Sequence, residues 1–259
     1  MEKRVFLTGA TDGIGLALAR LWVGRGERPY LSGRRPLDVL DPAIFPRELF
    51  YEERYVSADL TDTDAVQQIV EGLATRGVRE LDRLVLNAGM GWFGKIHEQL
   101  AGPTMDMVNV NLWAPMALTH ELLPLLRAAR GRIVLISSVV SALPTPDFAV
   151  YTATKAALEG FARSLRSELA GEVEVQVLRP GGTQTGMHSK SGASAVGIDP
   201  SKFPTADEVA AAIDRAIYGS PRWQTLGMGN RAARFAGRNL APIVDRVQGL
   251  NSSRREQPS

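Results

Sequence analysis

Two side chains in this sequence could move a proton together. Tyr151 and Lys155 stand four apart in Tyr151-Thr-Ala-Thr-Lys155. On a helix, positions i and i+4 share one face. An ammonium beside a phenol favours the phenolate and lowers the tyrosine pKa. That turns a poor acid–base group into one usable near neutral pH. The spacing alone is common on surface helices. It gains meaning from Ser138, thirteen residues upstream at the end of the apolar run Gly131-Arg-Ile-Val-Leu-Ile-Ser137. A hydroxyl there can steady a carbonyl oxygen or an alkoxide.

A second chemical signal is Thr8-Gly-Ala-Thr-Asp-Gly-Ile-Gly15. Gly9 permits a tight turn, Gly13 lets backbone approach a pyrophosphate, and Gly15 lets helix and strand pack closely. The helix amino terminus then faces the phosphates. Gly33-Arg34-Arg35 ends the next apolar run. NAD-binding folds commonly place an acid there for the ribose 2′-hydroxyl, whereas Arg accommodates a 2′-phosphate. Two planar guanidinium groups suit phosphate, so NADP(H) is expected over NAD(H). Asp12 is the opposing charge in this loop. The three His residues, His97, His120 and His188, lack ligand spacing, and no metal is expected.

These residues need a frame. Arg4–Thr8, Pro29–Ser32, Glu53–Ala58, Leu81–Leu86, Gly131–Ser137 and Val173–Leu178 read as strands, with Trp223–Gly227 as a seventh. Amphipathic segments at 16–24, from Thr61 or Asp62 to Gly72, 104–129 (interrupted by Pro115 and Pro124), 151–170 and 207–218 read as helices between them. Strand–helix alternation at this spacing predicts α/β architecture: a doubly wound parallel sheet of about seven strands with helices on both faces. The ligand then belongs at the carboxyl ends of the strands, where each glycine or polar cluster falls. One domain is expected over residues 1–250, with a polar, disordered tail at 251–259.

With those pieces in hand, the chain resembles the short-chain dehydrogenase/reductase family of the compact, Rossmann-like, single-domain kind. The matching residues are Thr8-Gly9-x-x-x-Gly13-x-Gly15, Asp59-Leu60, Asn87-Ala88-Gly89, Asn111, Ser138, Tyr151-x-x-x-Lys155 and Pro180-Gly181-x-x-x-Thr185, in family order over residues 4 to about 187. The resemblance implies that Tyr151 is the general acid in ketone reduction and the base in alcohol oxidation. Lys155 would bind the nicotinamide ribose and lower the Tyr151 pKa. Ser138 would hold the substrate oxygen, and Asn111 a water in a proton relay. Ser137 and Asn109 are neighbouring candidates that match less well. The cofactor set would comprise Gly9, Thr11, Asp12, Gly13, Ile14, Gly15, Arg34, Arg35, Asp59, Leu60, Asn87, Ala88, Gly89, Pro180, Gly181, Thr183 and Thr185, with Tyr151 and Lys155. Asp59 would meet the adenine. Asn87 and Gly89 would support ribose and sheet, and Thr185 the carboxamide and diphosphate.

An NADP(H)-dependent interconversion of a ketone or aldehyde with a secondary alcohol is the expected activity. A non-catalytic NADP(H)-binding scaffold is the alternative. Trp92, Val140, Leu143, Phe148 and Met187, with Met90 and Phe93 nearby, predict a substrate with an apolar body. Residues 186–204 have the composition of a mobile lid. Arg222–Ser259 carries a net charge of +5 within a chain of +2. In Asn230–Leu250 an apolar stripe (Phe235, Leu240, Ile243, Val244, Val247) runs beside Arg231, Arg234 and Arg238, which fits a partner subunit or, less well, an anionic membrane surface. The overall charge is too small to argue for nucleic acid. Cysteine is absent, and neither a signal segment nor a transmembrane run of apolar residues is evident, so a cytoplasmic protein is expected. By the resemblance, a homodimer or homotetramer would form through helices 104–129 and 151–170, where Ala153, Ala156, Ala157 and Gly160 are small.

Overall fold

The computed structural model describes residues 3–46, 50–187 and 199–246. Seven strands form one parallel sheet: β1 (Val5–Thr8), β2 (Tyr30–Gly33), β3 (Tyr55–Ser57), β4 (Arg83–Leu86), β5 (Arg132–Ile136), β6 (Glu174–Arg179) and β7 (Gln224–Thr225). Their order is β3-β2-β1-β4-β5-β6-β7. The chain leaves β3, crosses over and re-enters beside β1, so strand order reverses between β1 and β4. A crevice at the carboxyl ends is expected at such a reversal.

Both faces of the sheet are buried, which is why its strands read as continuous apolar runs. Phe6 on β1 pairs with Tyr30 and Leu84, and all three enter one core cluster. Val5 and Leu7, one residue either side, enter the other with Leu31, Val85 and Val134. Helices α1 (Gly13–Gly24) and α6 (Ala206–Tyr218) pack on each other over that second cluster. Helices α2 (Ala65–Thr75), α4 (Ala114–Ala129) and α5 (Ala149–Glu168) cover the first.

Three segments differ from the expectation. The helix predicted over 104–129 is in fact α3 (Ala101–Val108), one π-helical turn (Asn109–Trp113) and α4. The π-helical turn directly precedes Pro115 at the start of α4, where the ring supplies no N–H to the turn before it. Helix α2 begins at Ala65 rather than at Thr61 or Asp62, because Thr61 N and Oγ1 both donate to Asp59 Oδ1 (3.1 and 3.0 Å) and hold a turn there. The described part of the basic segment, 230–246, begins in a helix, α7 (Met228–Asn239), that ends before Pro242, with residues 241–246 helical again. Its arginines do not form one exposed stripe: Arg234 is buried, whereas Phe235 (65 % exposed), Leu240 and Ile243 face outward. Val247, His188, most of the expected lid (188–198) and the tail (251–259) lie outside the described residues. No described helix is long and apolar enough to cross a membrane.

Candidate active site

The glycine turn joins β1 to α1. Gly9 has φ +70°, a left-handed conformation that favours glycine, and a Cβ there would lie 2.8 Å from the Ala88 Cα. Gly15 packs against the Gly9 carbonyl and the Asn87 side chain, with no room for a Cβ. Asp12 is the exposed, extended residue at the start of α1, and Ile14 packs on the core below. Thr8 Oγ1 accepts from the Asn87 and Ala88 amides (both 3.1 Å), while Asn87 Nδ2 donates to the Thr8 carbonyl (3.1 Å). The Asn87 side chain thus ties the end of β4 to the glycine turn.

The neighbouring strand ends close one side of this cradle. The Arg35 guanidinium donates to the Thr11 carbonyl (2.7 Å) and lies over the Phe45 ring (4.9 Å). Arg34 is exposed, with Nε 3.9 Å from Asp59 Oδ2. Gly33 is packed under Thr11 and the Tyr55 hydroxyl, so a Cβ there would come within 2.5 Å of Thr11 Cγ2 and within 2.9 Å of Tyr55 Oη. No acidic side chain fits at that position without displacing both. Leu60 is buried beside Asp59. On the other side, a Cβ at Gly13 would meet Thr185 Cγ2 at 2.8 Å, so the segment after β6 lies against the turn. Within that segment Thr183 Oγ1 donates to the Gly181 carbonyl (3.2 Å), and the Pro180 carbonyl accepts from Val139 N (3.0 Å). A glycine turn at a helix amino terminus, with small residues around it, fits a dinucleotide diphosphate.

At the ends of β4 and β5 the polar residues converge. Ser138 caps the one-turn helix Val139–Ala142, its Oγ accepting from Val140 N (3.4 Å), and lies close enough to the Tyr151 phenol to pull its pKa down. Lys155 Nζ donates to the Ile136 carbonyl (3.0 Å) and sits 5.7 Å from the centre of the Tyr151 ring. The π-helical turn swings Asn111 inward, as such turns often do at functional sites. Its Oδ1 accepts from Met90 N (2.9 Å), and its Nδ2 donates to the Met90 carbonyl (2.8 Å) and Thr154 Oγ1 (3.1 Å). A Cβ at Gly89 would lie 3.4 Å from Asn111 Oδ1 and 3.5 Å from Lys155 Nζ, so both groups border that one spot. The neighbouring candidates turn elsewhere: Asn109 donates to the Thr61 carbonyl and Ser137 to Glu159.

Tyr151 and Lys155 are 7 % and 3 % exposed. Burial pushes the Tyr151 phenol up to about 12, against a downward pull from Ser138. The same burial brings the Lys155 ammonium down to about 8. Desolvation, which disfavours the charged form of each group, dominates both shifts.

Apolar side chains roof the phenol. Phe148 stacks on Tyr151 (centroids 4.2 Å apart) and Phe93 stacks on Phe148 (3.8 Å). Met107 is buried with them, and Met90, Trp92, Val140, Val150 and Met187 pack around the cluster. Of the five residues predicted to line the substrate space, Trp92, Val140, Phe148 and Met187 meet there. Leu143 instead faces Gly237 on α7. Sequence reasoning missed Thr154, Met107 and Glu159. Thr154 and Glu159 are three and eight residues beyond Tyr151, on its helical face, which was the available signal. Among the described residues no three His, Asp or Glu side chains are close enough to hold a metal.

Fold and site define a dinucleotide-binding oxidoreductase architecture, and the comparisons agree. Residues 3–195 match the family model for short chain dehydrogenase. The 11-beta-hydroxysteroid dehydrogenase 1A of Arabidopsis thaliana is 36% identical over 183 residues, 69% of this chain and 52% of that protein. The chain thus spans about half the length of such curated relatives. A short-chain dehydrogenase from Streptomyces avermitilis superposes with TM-score 0.76 at 26% identity, covering 100% of this chain and 99% of that one. One from Sphingobium yanoikuyae, solved in complex with NADPH, gives 0.74 at 25% identity over 99% of this chain and 98% of that one. The chain belongs to the short-chain dehydrogenase family.

Proposed function

We propose that the protein interconverts a ketone or aldehyde and a secondary alcohol with NADP(H), on substrates with an apolar body, in the cytoplasm. The observation that carries this reading is the convergence of Ser138, Tyr151, Lys155 and Asn111 at the carboxyl end of the sheet, beside the glycine turn. When bound, the nicotinamide cofactor supplies or accepts the hydride. The cradle for it is the turn Gly9–Gly15 with Asp59, Leu60, Asn87, Ala88 and Gly89 on one flank and Pro180–Thr185 on the other. The packing at Gly33 leaves no space for the acid that would favour NAD(H), and Arg34 and Arg35 follow it, which supports a 2′-phosphate.

In reduction, Tyr151 donates its phenolic proton to the substrate oxygen; in oxidation its phenolate form accepts the alcohol proton. A phenol held above its ordinary value is neutral at pH 7, the form needed as an acid. Ser138 orients the same oxygen by hydrogen bonding. Lys155 would hold the ribose; it and Asn111 border one spot at Gly89, which supports a relay that returns a proton to Tyr151. The rings of Phe93 and Phe148 and the methionines exclude water and favour apolar substrates. Ala153, Ala156, Ala157 and Gly160 form an exposed small-residue face on α5, which supports assembly into a homodimer or homotetramer.

The test is fluorescence titration with NADPH and NADH followed by turnover on apolar ketones. NADPH binding at least about tenfold tighter, or 1.4 kcal/mol, with stoichiometric alcohol formation, is expected. Binding without any turnover contradicts the reading and favours the scaffold; tighter NADH binding contradicts the cofactor preference.

A further inference from the structure

A buried ionic cluster lies behind the site and joins it to the terminal helix. Glu159 stands on α5 one turn beyond Lys155. Its Oε1 accepts from Ser137 Oγ (2.9 Å), Ser141 Oγ (2.5 Å) and Arg179 Nε (2.8 Å). Its Oε2 accepts from Arg179 (2.9 Å) and from Arg234 on α7 (2.6 Å). The second Arg234 nitrogen donates to Ser141 Oγ (2.6 Å), and Ser141 Oγ also lies 2.8 Å from the Ser138 carbonyl. Arg234 is 9 % exposed. Two further contacts seat α7 on the same loops. Gly237 packs directly against the Ala142 carbonyl, and Asn230 packs against Gly181.

The catalytic serine therefore lies between two residues, Ser137 and Ser141, that are tied to one carboxylate. That carboxylate sits on the helix carrying Tyr151 and Lys155. We propose that Arg234 is a positioning residue. Reaching in from α7, it fixes Ser141 and Glu159 with the two arms of its guanidinium, and through them it holds the Ser138 hydroxyl in register with Tyr151. The kinetic part rests on the dehydrogenase reading above. Burying such a cluster gives little net stability, because desolvation offsets the attraction. Its contribution is geometric: a planar fork sets two partners at fixed angles, which a lysine cannot do.

The test compares wild type with Arg234→Met, Arg234→Lys and Tyr151→Phe. Arg234→Met keeps the stem packing and leaves Glu159 with Arg179 as a partner, so the fold is expected to survive. Two quantities are read: amide hydrogen exchange at Ser141 and Leu143, and kcat, KM and NADPH affinity. Arg234→Met should speed exchange at those amides by about tenfold or more. It should lower kcat by about tenfold while NADPH affinity stays within about twofold, with Arg234→Lys between. Tyr151→Phe should abolish turnover and leave exchange unchanged. If wild type turns over no carbonyl or alcohol, the dehydrogenase reading fails, and the exchange data alone decide the clamp. Unchanged exchange in Arg234→Met overturns the proposal, as does locally faster exchange with unchanged kcat. Faster exchange spread over the whole sheet also overturns it, because Arg234 would then only stabilise the fold.

Discussion

The proton chemistry of the site turns on burial. Tyr151 and Lys155 are both enclosed, and enclosure moves them in opposite senses, the phenol up and the ammonium down. The lysine shift has a consequence for stability. Its folded value of about 8 lies below the ordinary 10.5, so between these values the unfolded chain binds more protons than the folded one. Stability from this group must then rise with pH across that window. The stability difference between wild type and Lys155→Met, measured by urea denaturation, should therefore grow in favour of wild type from pH 8 to 10. A flat or falling difference would show that the ammonium is better solvated than its burial implies. At this scale much of the site was legible: the Tyr–Lys spacing singled out the pair, and the distance to Tyr151 favoured Ser138 over Ser137. Arg234 was grouped with Arg231 and Arg238 beside an apolar stripe, but it is buried. Its partner, Glu159, lies 75 residues away, and no local pattern records such a pairing.

Elements position these groups through close approach. The β1–α1 turn works because Gly15 lets the helix settle on the Gly9 carbonyl. A methyl group there meets backbone, which cannot swing aside. Gly15→Ala is expected to cost about 1–3 kcal/mol, as overpacking does, and to weaken NADPH binding more than the global loss explains. Thermal unfolding and cofactor titration check this; an unchanged Tm together with unchanged affinity would contradict the packing account. Strands and most helices could be read from apolar runs and periodicity, since both faces of the sheet are buried. The π-helical turn could not. It inserts one residue into a helical pattern without a glycine or proline of its own, and Pro115, which drew the expected interruption, lies at the start of α4.

At the scale of the molecule, two faces left uncovered by the other described residues bear on assembly. One is the small-residue face of α5; the other is the outer side of α7 and of the residues just after it, with Phe235, Leu240 and Ile243. Close helix approach between subunits needs small side chains, so Ala157→Glu should shift the protein to a smaller sedimenting species while leaving its circular dichroism unchanged. An unaltered sedimentation coefficient would remove α5 from the interface. The doubly wound parallel sheet was legible in the alternation of strands and helices, whereas its strand order was not read from it. The docking of α7 on the Ser138 loop was not legible either, since it depends on Gly237, Asn230 and Arg234 meeting partners far away in the sequence.

The most direct measurement is the NADPH-linked turnover of wild type and Tyr151→Phe on the same apolar ketone, with NADPH affinity measured for both. Removing the phenolic oxygen takes away the proton donor and leaves the cradle intact. Turnover should fall by at least about 100-fold, the usual contribution of a positioned acid–base group, with cofactor affinity little changed. A variant that keeps most of its turnover would contradict the assignment of Tyr151 as the proton-transferring residue.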